Sequence, residues 1–461
     1  MLNAGGQGSG EPVHQERLPG KKPCVYECSR GPCSYPIQTE APSQVQSKHP
    51  PASQQATIVL GPKQEYARTS VSCFATSNLV VYLRFMPINW DEIRNRFPVT
   101  QHSTYLNTAA AGPLALATQQ AATEYYQLMM ADGDVHWDDW LAQREQVRKK
   151  VAAFINAEPD EIALTTNTSS GMNVIVDALD TRGEVISNEL EFPVSTLPWM
   201  NRGIPVHFVK ATAGKVKVDD IQRRMDHQTG VISISHVQFS NGFRMNLKAL
   251  GEAKRDHALV VNASQSAGVF EIDVKRMKID ALCSTGHKWM LSGYGSGFVY
   301  LSRELQQQSK PRAIGWLSMR EPYDMKNDEL HVRHDLAARV ELGCPHYAGM
   351  FALGASIDLF ASVGMVAIQE RALRLNKLLT NRLMETGWNV LSPIDDDHER
   401  SAQTLVAADD PASLVRKLAE RRVIVTEKPQ GIRVATDFFN NETDIDRLIA
   451  ALKAEPPATS R

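Results

Sequence analysis

From about residue 160 onward, β-branched runs and helix-patterned stretches take turns along the chain, and few architectures accommodate that order. The runs are residues 162–165 (IALT), 184–187 (EVIS), 204–209 (IPVHFV), 231–235 (VISIS), 258–261 (ALVV) and 297–301 (GFVYL). Helical stretches such as 171–179 and 247–255 separate most of them. Short runs without polar alternation suit strands buried on both faces, and strands that alternate with helices pair in parallel. The predicted fold class is therefore α/β, with a large, mainly parallel-sheet domain over residues 114–365. Beyond residue 366 a long helix (369–385), strand-like pieces (403–407, 423–425, 432–435) and a closing helix (442–451) predict a smaller α+β domain, 366–455. Residues 86–113 are expected to pack on that smaller domain.

Composition shifts near residue 86. Residues 1–85 cluster Gly, Pro, Ser and Gln (GGQGSG, HPPASQQ) and show little periodicity. Such a segment buries too little apolar surface to offset its ordering entropy. It is expected to be a disordered extension, or translated sequence upstream of a true start at Met86, where MPINWDEIRNRFP opens with a helical pattern. The 461 residues carry 50 Lys and Arg against 52 Asp and Glu, a net charge of −2, which gives no general pull toward nucleic acid or anionic lipid. Of the six cysteines, only Cys24, Cys28 and Cys33 cluster; their spacing is not C-x2-C and no His pair follows, so no metal site is read there. The weakly polar stretch 347–368 contains Asp358 and three glycines, which suits a buried helix at a subunit or domain boundary better than a membrane span. No basic start with an apolar signal core stands near Met1, and a cytoplasmic location is expected.

In a parallel sheet the turns after the strands are where ligands bind. The first such turn runs Thr165-Thr166-Asn167-Thr168-Ser169-Ser170-Gly171 into a helix. Hydroxyls and free N–H groups at a helix start suit a phosphate, although Ser and Thr also cap helices with no ligand, and capping is the simpler reading of this turn alone. A second polar turn is Val261-Asn262-Ala263-Ser264-Gln265-Ser266-Ala267-Gly268. The third, Ser284-Thr285-Gly286-His287-Lys288-Trp289, follows an apolar stretch and precedes GYGSG. A lysine in such surroundings can lose its proton and form a Schiff base.

In this order and spacing, TNTSSGMN, ELEFPVSTLPW, VNASQSAG, STGHKW and RVELGCP resemble the class V aminotransferases of fold type I, over about residues 88–455. That group includes cysteine desulfurases, selenocysteine lyases, kynureninases and isopenicillin-N epimerase-like proteins. The resemblance implies a pyridoxal 5′-phosphate cofactor and a homodimer with shared sites. It implies that Lys288 forms the Schiff base and shuttles the α-proton, and that Thr285 and His287, with Thr168 and Ser169, cup the phosphate. Gln265 matches the residue that hydrogen-bonds the ring 3′-oxygen. Phe192 falls where many relatives have a ring-stacking His, and a flat aromatic there can sandwich the pyridine. Arg433 matches the arginine that clamps the substrate carboxylate.

Three departures narrow the implied activity. Desulfurases carry a nucleophilic Cys on a loop shortly before that arginine, whereas residues 425–431 (VTEKPQG) hold none, so persulfide formation by that route is not expected. The family's Arg-Phe-Glu-x-Gly-Thr reads Arg339-Val340-Glu341-Leu342-Gly343-Cys344, which makes Cys344 a weaker ligand for the partner subunit's phosphate. The aspartate expected opposite the pyridine nitrogen is Asn262. The resulting expectation is an aminotransferase or lyase acting at the α-carbon of a small amino acid. The alternatives are an amino-acid epimerase and a scaffold or regulatory protein with little turnover, which Asn262 and Cys344 favour.

Overall fold

Most of the β-branched runs become strands because their residues are buried, the edge run 204–209 being the half-exposed exception, and the strands assemble into two sheets and one short pair. The computed structural model describes residues 88–179, 183–310, 312–334 and 336–457, and both sheets lie in one compact unit. The expectations for residues 1–85 lie outside these residues. In chain order the strands are β1 (Thr104–Tyr105), β2 (Ile162–Thr165), β3 (Glu184–Asn188), β4 (Val206–Val209), β5 (Thr229–Ser235) and β6 (Ala258–Asn262), then β7 (Ala281–Thr285), β8 (Gly297–Leu301), β9 (Gln403–Ala407), β10 (Val423–Ile424), β11 (Thr426–Lys428) and β12 (Gly431–Ala435).

Seven of them form the main sheet in the order β2-β8-β7-β6-β5-β3-β4. β8 runs antiparallel to both of its neighbours, and every other pairing is parallel. All five residues of β7 and of β8 are buried, as expected for strands covered on both faces. β7 is the apolar stretch ahead of Lys288; it opens on Ala, a weak strand former, and burial within the sheet overrides that.

The helix after β2 spans Thr168–Ala178, three residues earlier than its periodicity indicates, because the Asn167 side chain caps it by accepting from the Ser170 N–H at 2.9 Å. Gly171 lets this helix lie on the sheet: a Cβ there would come within 3.0 Å of Cys283 and Val299 side-chain atoms. The stretch 347–368 is two helices rather than one. Gly364, at φ 91°, ends Tyr347–Val363 and starts Met365–Glu385, with a bend of 83° between them. No single helix among the described residues is long and apolar enough to cross a membrane.

The smaller sheet, β11-β12-β9, is antiparallel, and beside it β1 pairs with β10 in parallel. Residues 425–431, read above as a loop, contain β11 and a tight turn at Pro429 and Gln430 leading into β12. Thr426-Glu427-Lys428 has no apolar signal, and what makes it a strand is backbone pairing along β12. Leu106, just after β1, is buried in the cluster that holds Leu375, Leu379, Ile432 and Val434.

The RVELGC segment is a structural clamp. Arg339 is fully buried and donates to the Gln306 carbonyl at 2.8 Å and to the Ser309 hydroxyl. Glu341 accepts from the Leu164 N–H of β2 at 2.7 Å and from Arg148 Nη1 at 2.5 Å, tying the helix Trp137–Ile155 to the sheet. Removing one partner of a buried pair costs about 3–5 kcal/mol because the other charge stays buried. Glu341→Ala is therefore expected to lower unfolding free energy by that amount in denaturant titrations. A loss below about 1 kcal/mol would mean that Glu145, the other carboxylate on Arg148, satisfies it alone.

Candidate active site

The carboxyl ends of β2, β3, β5, β6 and β7 all open at one edge of the main sheet, and their turns carry most of the residues singled out in the sequence. A chain of hydrogen bonds joins three of these turns. Thr168 and Ser264 hydroxyls meet at 2.5 Å, and the Ser264 hydroxyl and N–H both reach Asn262 Oδ1, at 2.6 and 3.1 Å. Asn262 Nδ2 donates to Ser195 Oγ at 3.2 Å, and the Ser195 N–H donates back to the Phe192 carbonyl. Asn262 is thus held by neutral groups on both sides. Ser169, exposed beside Thr168, lies in the first turn of its helix, where backbone N–H groups have no partner within the helix.

Thr285 ends β7, and its hydroxyl shares a 2.7 Å hydrogen bond with His287 Nδ1. The His287 ring stacks on Tyr294, centroids 4.4 Å apart and planes at 11°. Burial first, and the Lys288 charge second, push the imidazole down to about 4, so it is neutral at ordinary pH. Gln265 is fixed from two directions: its Nε2 donates to the Ala109 carbonyl at 2.9 Å and its Oε1 accepts from Trp289 Nε1 at 2.8 Å. One Nε2 proton is left over.

Lys288 Nζ lies 5.6 Å from the centre of the Phe192 ring. Burial, then the charges of Arg433 and Lys428, pull its amine down to about 7. Arg433, on β12, donates from Nη1 to the Phe239 carbonyl at 3.1 Å, and its buried Nε has no partner among the described residues. Burial lowers this guanidinium to about 10. Lys428 sits 4.9 Å over the Phe239 ring and is lowered to about 8 by burial and by Arg433. Phe239 and Phe192 meet edge to face at 5.1 Å. Three cations thus surround two aromatic rings, and the charges acting on them are all positive. The nearby carboxylate of Glu191 is taken up by Ser235, Gln238 and Asn188. Such a place is made for anions.

The structure brings Thr168, Ser169, Phe192, Asn262, Gln265, Thr285, His287, Lys288 and Arg433 to this edge. Cys344, expected to face the partner subunit's phosphate, is an exposed free thiol. Cys283 is the other described free thiol; burial inside β7 pushes it up to about 12, which removes it as a nucleophile. Sequence reasoning missed Lys428, Phe239, Ser195 and Ser264. Lys428 had a signal in its place in the segment before Arg433, and Ser264 in its place in the polar turn two positions after Asn262. A cavity of about 550 Å³ lies elsewhere, lined by Arg144, Arg148, Tyr323 and Glu341, and its Arg148 is already paired with Glu145 and Glu341.

The family model described as Aminotransferase class-V matches residues 104–446. A probable cysteine desulfurase of Methanothermobacter thermautotrophicus is 32% identical over 302 residues, 63% of this chain and 74% of that protein. An isopenicillin N epimerase of Amycolatopsis lactamdurans is 24% identical, covering 79% of this chain and 98% of the relative. Among solved structures, the cystine C–S lyase C-DES, with glycine covalently linked to its PLP cofactor, superposes with a TM-score of 0.72 at 22% identity, covering 78% of this chain and 98% of that one. At that identity the likeness speaks for the fold, fold type I. The expected exclusion of desulfurase activity finds no support in these names.

The cation cluster makes a measurable claim. Folded Lys288 keeps its proton only below about pH 7, whereas an unfolded lysine keeps it to 10.5, so this group makes the ligand-free fold more stable as pH rises through that window. Acylation of Lys288, followed by peptide mapping, is expected to reach half its maximal rate near pH 7. Arg433→Leu should move that midpoint upward by removing one repelling charge. A Lys288 midpoint near 10 in the unaltered protein would refute the burial and crowding described.

Proposed function

Because the chain belongs to the class-V aminotransferase family, we propose that it is a pyridoxal 5′-phosphate enzyme acting at the α-carbon of a small amino acid, as an aminotransferase or lyase. The observation that carries the reading is the crowding of Lys288, Arg433 and Lys428 beside a neutral cup of hydroxyls and free N–H groups. The cofactor fits this donor set. Its phosphate suits Thr168, Ser169, Thr285 and His287 at the helix start, and its flat ring suits the open face of Phe192, 41% exposed. Lys288 supplies the amine that holds its aldehyde, and Gln265 has one N–H left for the ring oxygen. When bound, pyridoxal phosphate supplies an electron sink for charge developing at Cα.

The remaining work belongs to side chains. Arg433, buried and unopposed by any negative charge, receives the substrate α-carboxylate through its planar fork. Lys288, already lowered to about 7, takes and returns the α-proton without a second base. Asn262 donates where an ionised aspartate would hold a positive ring nitrogen, and being neutral it favours the unprotonated nitrogen. That supports the slower of the readings, an enzyme or scaffold with little turnover, and an epimerase is the remaining alternative. The tight β11–β12 turn offers no thiol, so any sulfur chemistry would not run through a cysteine of that hairpin. The exposed Leu116, Tyr126, Met129 and Met130 on the helix Leu116–Asp132 support a homodimer.

Two experiments test this reading. Purified protein should take up pyridoxal phosphate with a visible absorbance band, and borohydride should fix a pyridoxyl group on the Lys288 peptide; Lys288→Ala should abolish the fixation. A protein that takes up no cofactor would sink the proposal. The second uses Asn262→Asp, which keeps the acceptor for Ser264. Charged hydrogen bonds contribute about 1.5–3 kcal/mol against about 1 for neutral ones, so α-proton exchange in heavy water should quicken by roughly tenfold. No gain would assign Asn262 a purely structural role.

A further inference from the structure

We propose that the substrate carries a second carboxylate on its side chain and that Lys428 receives it, making an amino dicarboxylate the substrate class. This rests on the reading of the site given above. The argument is a matching of charges. In that reading the cofactor phosphate is held by neutral donors, Lys288 is engaged by the aldehyde, and Arg433 takes the α-carboxylate. Lys428 is left with no anion, half-buried, and the charge acting on it is that of Arg433.

The hairpin geometry places it for this task. Thr426 is opposite Arg433 and Lys428 is opposite Gly431, so Lys428 and Arg433 are diagonal neighbours on one face of the β11–β12 pair. Diagonal neighbours have Cβ atoms roughly 7–8 Å apart or slightly less, within reach of two long side chains. Glu427, the adjacent acid, is exposed and falls on the opposite face of the strand. Gly431 contributes no side chain to cover the ammonium, and none fits: a Cβ there would come within 1.8 Å of the Val406 carbonyl oxygen. Phe239 connects the two cations. Its carbonyl accepts from Arg433 and its ring lies under Lys428, while the same ring meets, edge to face, the Phe192 ring that faces Lys288. A ligand bridging Arg433 and Lys428 therefore spans Phe239 within the same anion site as Lys288.

The test is calorimetric titration of the cofactor-loaded protein with succinate and with butyrate, which has the same carbon chain and one carboxylate. Cofactor uptake is read by absorbance in the same sample. Succinate is expected to bind at least tenfold more tightly than butyrate. That ratio should fall to about one in Lys428→Met and largely survive in Lys428→Arg. Titration of the bound cofactor's absorbance with L-aspartate and L-asparagine should show the same preference and the same loss. A succinate-to-butyrate ratio near one in the unaltered protein, or one unchanged in Lys428→Met, overturns the assignment while leaving the cofactor reading intact. Failure to take up cofactor overturns both. Competition by inorganic phosphate alone, with no preference between succinate and butyrate, would assign Lys428 to phosphate and refute the proposal.

Discussion

The site depends on holding an amine out of water among like charges. An isolated buried ammonium is costly, and a protein relieves that cost by letting the proton go. Lys288 is driven that way twice, by burial and by Arg433 and Lys428. A Cβ at Gly112 would come within 2.2 Å of the Lys288 carbonyl oxygen, one at Gly268 within 2.0 Å of that of Trp289, and Gly112 N–H donates to the His287 carbonyl at 2.7 Å. Two separate glycine turns thus press on the three residues that carry the amine.

Neutrality around Lys288 extends beyond the lysine. His287 is neutral because the same lysine and the same burial lower it to about 4. Asp437, just past β12, is wholly buried, and burial raises its carboxyl to about 7; it is not among the charges that act on Lys288, Lys428 or Arg433. Asn262 stands between Ser195 and Ser264, where an aspartate would add the missing negative charge. These choices leave the positive charge at the open side of the site uncompensated by the protein. An anion arriving there meets cations that have no competing partner, which favours binding and orientation of acids.

The strands of the main sheet were legible because burial on both faces writes an unbroken apolar run, a signal contained in the strand itself. Thr168, Thr285, His287 and Lys288 stood out as polar residues in turns next to those runs, but the phosphate roles expected of the first three came from the family resemblance. β11 was not legible, since Thr426-Glu427-Lys428 is a strand only by virtue of β12. The break at Gly364 was hidden by a stretch whose apolar content continues through it, and the left-handed φ that ends one helix leaves no mark beyond the glycine itself. Ser195 and Ser264 matter through their contacts with Asn262, which lies 67 positions from Ser195. No local pattern encodes such a meeting. The resemblance to a family supplied roles for Arg433 and Cys344 that spacing alone did not; the structure brings Arg433 to the cluster, and the role expected of Cys344 concerns the partner subunit's phosphate.

What sets Arg433 and Lys428 over Phe239 is the fastening between the β12 sheet and the turns after β5. Gln403, on β9 next to β12, donates to the Gln238 carbonyl at 2.7 Å, immediately before Phe239. Arg244 N–H donates to the Glu399 carbonyl, and Lys215 bridges Asp395 and Glu399. The backbone bonds are buried or partly buried and fix position, whereas the Lys215 pairs are more exposed and contribute less. The cations of the hairpin are therefore held by the same strand edge that presents Phe239, and their spacing from Lys288 does not rest on a flexible loop. In the proposed reading both carboxylates of the substrate are held from the smaller sheet, by Arg433 on β12 and Lys428 on β11, while the amine that acts on it follows β7 of the main sheet. That division is incomplete: the hairpin that receives the acid in the proposed reading also sets, through the charges of Arg433 and Lys428, how readily Lys288 gives up its proton.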